Sequence, residues 1–135
     1  MSLVPIRRLT LEEMRSWLEK QRRDRNLLAT FLHHTWSPDA QSYRGMRSVE
    51  GIRNYHRNHR GWSDIGANAY AAPDGAIYTA RPLDYPRGYA HALIRKPWSQ
   101  LPAELGELAP FGDERWPNRY AFGLETIGDF DTEDP

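Results

Sequence analysis

Apolar side chains recur along the first half of the chain in two different rhythms. In "TLEEMRSWLEKQRRDR", Leu11, Met14, Trp17 and Leu18 fall three or four residues apart, the spacing that gathers side chains on one helical face. Thr10 with Glu13 makes a capping box at the start of this run, and an amphipathic helix is predicted from about Leu11 to Arg23. "NLLATFLHH" then packs Leu27, Leu28, Phe31 and Leu32 into a short apolar run closed by "SPD", which predicts a buried strand with His33 near its C-terminal end. In "SVEGIRNYHRNHRG" the helical rhythm returns. Val49, Ile52 and Tyr55 share a predicted buried face, with Ser48 as the cap and Gly61 as the stop.

"GANAYAAPDGAIYTARP" reads as two strands around a "PDG" turn, because Asp-Gly supplies the positive φ angles that a tight hairpin needs. Residues 93–117 are rich in proline, glycine and tryptophan and lack a period, apart from "PAELGELA", which suits a short helix; the segment is read as an inserted loop. "RYAFGLETIGDF" regains strand character from Tyr120 to about Ile127, ahead of an acidic tail. The order α, β, α, β, β, loop, β predicts an α/β fold, a mixed β-sheet flanked by helices. The 135 residues make one domain, with residues 1–26 as a helical extension at its N-terminus.

Composition narrows the function. Eighteen basic and eighteen acidic side chains cancel, so net charge offers no argument for nucleic acid or a membrane surface as partner. The absence of cysteine excludes disulfides, a thiol nucleophile and thiolate-bound zinc, although it does not fix the compartment. No apolar run approaches the ~18 residues of a membrane span, and no signal-type apolar region opens the chain.

The candidate chemistry lies in five histidines and one glutamate. Neighbours on a strand face opposite ways, so only one of His33 and His34 can enter a given site from a regular strand. His56 and His59 are three apart on the second predicted helix, but arginines crowd them and a solvated face is the plainer reading. His91 alone reads as an ordinary loop histidine. Glu125, flanked by Phe122 and Leu124, is either an outward-facing strand residue or a carboxylate poised as general base; spacing does not decide between them.

Together, "FLHHTWSP", "GWSDIG", "PDG" with a following "RP", "YAHA" and "NRYAFGLETIGDFD" resemble the zinc-dependent N-acetylmuramoyl-L-alanine amidases, the family that includes the peptidoglycan recognition proteins. The resemblance spans about residues 27 to 131 except the long loop. It implies a zinc groove in which the amide between N-acetylmuramic acid and L-alanine is cut, with peptidoglycan or a muropeptide as partner and a bacterial or phage origin. On this resemblance His33 matches the first zinc ligand, and His34 the companion that packs nearby without binding metal, on the substrate side.

Two departures from the family pattern matter. The position after "DIG", a tyrosine in many members, is Ala67 here; a subgroup resembling recycling amidases and some phage endolysins carries a small residue there and a catalytic glutamate later, which Glu125 matches, with Asn118 and Gly123 in corresponding places. The other two zinc ligands of the family belong to a later segment, which implies a C-terminally truncated family domain, one that self-associates if a covering helix is missing. The resemblance gives His91 and Asn118 groove-lining roles, and Trp98 and Trp116 contact with glycan, while Trp36, Trp62 and Tyr70 are read as core or groove walls. It leaves two functions in view: a zinc amidase with Glu125 as base, and a zinc-free muropeptide-binding module.

Overall fold

A computed structural model describes residues 2–21, 27, 29–83 and 121–132. The elements in chain order are β1 (Arg8–Leu9), α1 (Leu11–Glu19), β2 (Ala29–His34), α2 (Met46–Asn58), β3 (Ala69–Ala71), β4 (Ile77–Thr79) and β5 (Ala121–Thr126). The strands form one mixed sheet in the order β1-β4-β3-β5-β2. β4 runs antiparallel to β1 and β3, and β5 runs parallel to both β3 and β2. The predicted loop at 93–117, with Trp98 and Trp116, lies outside the described residues, as do His91 and Asn118. No helix among the described residues is long and apolar enough to cross a membrane.

Alternation along the short strands builds two cores. Tyr70 and Tyr78 join Val49 and Ile52 of α2, with Ile65 and Ile127, on one face of the sheet. Ala69 and Leu9 meet Met14 of α1 on the other, with Trp17, Leu18, Ile77 and Leu124 packed against them. Neighbours in sequence thus serve opposite layers, as a pleated strand requires. The N-terminal segment read as a helical extension contributes β1 to the sheet edge and docks α1 through Met14.

Several local expectations are revised. Thr10 does close a capping box with Glu13, but Leu11, one position beyond the cap, is 74% exposed because the buried stripe of α1 begins at Met14. α2 starts before Ser48, with Gly45 as its cap at φ 64°, a conformation that favours glycine; the Ser48 hydroxyl instead accepts from the Arg44 amide at 2.7 Å. In the hairpin only Gly75 takes positive φ, at 81°. Asp74 holds the turn by accepting from the Ala76 amide at 3.1 Å.

A buried polar frame ties α2 to the sheet. Arg53, on the inner face of α2, donates from Nε to Asp64 Oδ1 at 2.7 Å, and Asp64 is 1% exposed. The same oxygen accepts from the Ile65 amide at 2.7 Å. Arg81 donates to the carbonyls of Ile65 and Asp64 at 2.8 and 3.1 Å, closing the frame from the end of β4. Asn68 joins three strands: its Nδ2 donates to the Arg81 carbonyl and its Oδ1 accepts from the Gly123 amide, at 3.0 and 2.8 Å. These bonds explain "SDIGAN" as scaffold.

Truncating Arg53 to alanine strands the Asp64 carboxylate without its cation. Breaking a buried pair in this way costs about 3–5 kcal/mol, so Arg53→Ala should lower the urea midpoint of unfolding sharply. A midpoint within error of the parent would refute the framing role.

Candidate functional site

Register places the candidate chemistry in a single row. Glu125 of β5 pairs with His33 of β2 on one side and with Tyr70 of β3 on the other, and Tyr70 pairs with Tyr78 of β4. Residues directly paired across strands share a face, and Tyr70 and Tyr78 belong to the face covered by α2. Of the two readings of Glu125, the outward-facing one is therefore excluded: the residue is 5% exposed and sits between Tyr70 and His33.

The Tyr70 hydroxyl is buried and has no partner at hydrogen-bonding geometry among the described residues. Burial first, and then the charge of the neighbouring Glu125 carboxylate, hold its phenol well above the ordinary value of 10.0. Further along the row, the Tyr43 hydroxyl meets that of Tyr78 at 2.7 Å and lies 3.1 Å from Asp74 Oδ2. Because the Tyr43 hydroxyl donates to Asp74, Tyr78 donates to Tyr43. Burial and the Tyr78 contact raise the Tyr43 phenol as well.

A groove of about 780 Å³ opens on this face. α2 lines it with Ser48, Ile52, Tyr55 and His56, and the loop after β2 lines it with Thr35, Trp36, Ser37 and Pro38. Glu125 enters from the sheet, and Arg60 and Trp62 from the segment after α2. The loop after β2 is stitched to the end of β5: the amides of Thr35 and Trp36 donate to the carbonyls of Thr126 and Gly128, both at 2.9 Å. The Thr35 hydroxyl accepts from the Gly128 amide at 3.1 Å and donates to the Pro38 carbonyl at 2.7 Å. "HHTW" and "LETIG", distant in sequence, thus form one wall.

His33 shares the row with Glu125, whereas His34 is the member of the pair that lines the groove. His34 Nδ1 accepts from the Phe130 amide at 3.1 Å, and its ring stacks on Phe130. In this bond Nδ1 is the acceptor, which turns the Nε2 edge of the ring away from Phe130. His56 departs from the solvated reading: its Nδ1 accepts from the Gly66 amide at 3.0 Å, its ring packs against Trp62 at 4.6 Å, and it lines the groove. His59 stays exposed. Tyr55, expected in the core, is 50% exposed and faces the groove. Tyr55, His56 and Arg60 were the groove residues that sequence reasoning missed; the helical spacing from Ile52 to Tyr55 and His56 was their one signal.

Among the described residues no group of three or more histidine, aspartate or glutamate side chains is placed to hold a metal ion. His33 with Glu125 is a pair, and a catalytic zinc takes three protein ligands. The described residues therefore do not by themselves fit a zinc centre.

No protein-family profile matches the sequence, and no curated protein matches it. Solved structures do match. Wild-type Drosophila PGRP-LB, a peptidoglycan recognition protein, superposes with a TM-score of 0.56 at 25% identity, over 85% of this chain and 55% of that one. A tyrosine-to-phenylalanine variant of it, solved in complex with tracheal cytotoxin, matches with the same TM-score and identity. Bumblebee PGRP-SA matches at a TM-score of 0.54 and 20% identity, over 98% of this chain and 57% of that one, a likeness of fold alone. The chain thus has the peptidoglycan recognition protein, amidase-like fold, and it spans a little over half the length of these neighbours.

The raised Tyr70 phenol makes stability fall in alkali. The unfolded chain ionises its tyrosines near pH 10.0 while the folded chain keeps Tyr70 protonated, so this contribution is complete below that pH and is lost as pH rises toward the folded value. Unfolding free energy should drop by about 1.4 kcal/mol per pH unit on this account. Tyr70→Phe should remove that slope. Urea titrations across the alkaline range check both; an unchanged slope in the variant would contradict the assignment.

Proposed function

We propose that the groove on the α2 face binds peptidoglycan fragments, with a muropeptide as its ligand. The observation that carries this reading is the groove itself, walled by aromatic and hydroxyl side chains with one buried carboxylate and one guanidinium. It opens on a fold whose Drosophila neighbour has been solved holding tracheal cytotoxin, a muropeptide. The mixture suits such a ligand: aromatic faces take sugar rings and apolar stems, hydroxyls meet amides and sugar hydroxyls, and Arg60 offers a partner to a peptide carboxylate. His34 and His56, each holding a backbone amide at Nδ1, keep the walls in place.

A second reading, a zinc-dependent N-acetylmuramoyl-L-alanine amidase with Glu125 as general base, is favoured by one observation: His33 and Glu125 occupy adjacent register positions. That reading requires zinc held by His33 together with ligands beyond the described residues. Binding needs no such addition.

Calorimetric titration with a disaccharide-peptide from peptidoglycan should show saturable binding, weakened about tenfold or more by Tyr55→Ala, as for an aromatic anchor in a recognition site. No heat of binding would refute the proposal. Zinc titration separates the two readings: stoichiometric zinc that disappears in His33→Ala would favour the amidase, and its absence would favour the binding module.

A further inference from the structure

Trp36 is placed where neither packing nor backbone preference accounts for it. It is 66% exposed, so most of its large apolar surface is left in water. It also takes φ 59°, the one positive φ outside glycine among the described residues, in a region that bulky side chains avoid. The conformation is held from both sides: the Trp36 amide donates to the Gly128 carbonyl at 2.9 Å, and the next amide, of Ser37, donates to the Thr35 carbonyl at 2.6 Å. A strained, over-determined residue that gains little from burial points to a role outside stability. Trp36 also lines the groove, together with the hydroxyl-bearing Ser37, Ser42 and Ser48.

The geometry points to Trp36 as a saccharide-stacking platform at the rim of the groove, which goes beyond the muropeptide reading and rests on it. A pyranose ring presents C–H groups on its faces and hydroxyls around its edge. An exposed indole supplies a rigid apolar face for the first, and the hydroxyls of Ser37 and Ser48 can meet the second. Of the two places the sequence offered Trp36, core or groove wall, the structure gives the wall, and the proposal adds the sugar contact. The bonds to the end of β5 fix the backbone that carries the indole, so the backbone has little ordering left to lose on binding.

The test uses the full chain, with Trp36→Gly and Trp36→Phe, titrated with a disaccharide-peptide and with the same peptide lacking sugar. Glycine accepts φ 59° without strain, so Trp36→Gly should melt no lower than the parent. Its affinity for the disaccharide-peptide should fall about tenfold or more, its affinity for the sugar-free peptide should be unchanged, and Trp36→Phe should keep most of the parent's affinity. If Trp36→Gly binds the disaccharide-peptide as the parent does, the platform is overturned while the muropeptide reading stands. If Trp36→Gly is destabilised or unfolds, the indole is structural and the platform is overturned as well. If the parent chain binds neither ligand, the muropeptide reading itself fails.

Discussion

The parallel pairing of β2 with β5 is the constraint on which the site depends. It runs over six positions, from Ala29 with Ala121 to His34 with Thr126, and no local contact specifies it. A slip of one residue in either strand would turn His33 and Glu125 to opposite faces and carry Leu32 or Leu124 into the polar row. Three features oppose such a slip. Asn68 holds the Gly123 amide, the Thr126 hydroxyl donates to the His33 carbonyl at 3.1 Å, and the amides of Thr35 and Trp36 continue the ladder beyond the strand end. The same bonds that define register also shape the groove wall.

Around this pairing the protein separates scaffold from site by residue type. Arg53, Asp64, Asn68 and Arg81 are buried and bonded to one another or to backbone, and they join α2 to three strands. Such a network is worth its desolvation only when its members are satisfied, and each of these four has a bonded partner. Glu125 differs in its place, as a buried carboxylate that lines the groove and pairs in register with Tyr70 and His33. The imidazoles of His34 and His56 stand between the two classes, anchored at Nδ1 and presented on the groove.

Much of the fold was legible because its signals are periodic and local. α1 and α2 announce themselves by spacing, the hairpin by "PDG", and β2 and β5 by apolar runs, and together with the quoted motifs these led to the mixed sheet and to its fold family. β1, two residues long, is too short to carry a period. Periodicity marked the inner face of α2 but could not tell whether core or groove would meet it, which is why Tyr55 was placed in the core and His56 in solvent. Leu11 shows the same limit at a helix end. The pairing of His33 with Glu125 joins segments far apart in the chain, and only the motif resemblance brought them together before the structure did. The exposure and strain of Trp36 had no sequence signal beyond its place after "HHT".

One face of the sheet, centred on the row through Glu125 and covered by α2, is the face proposed to bind ligand. The most direct test follows the backbone and tryptophan indole resonances of the isotope-labelled chain while a disaccharide-peptide is added. Shifts should be confined to Trp36, Tyr55, His56, Trp62 and Glu125 and their neighbours, with Met14, Trp17 and Leu18 on the α1 face unmoved. Shifts centred on Trp17 and Leu18, or none at saturating ligand, would contradict it.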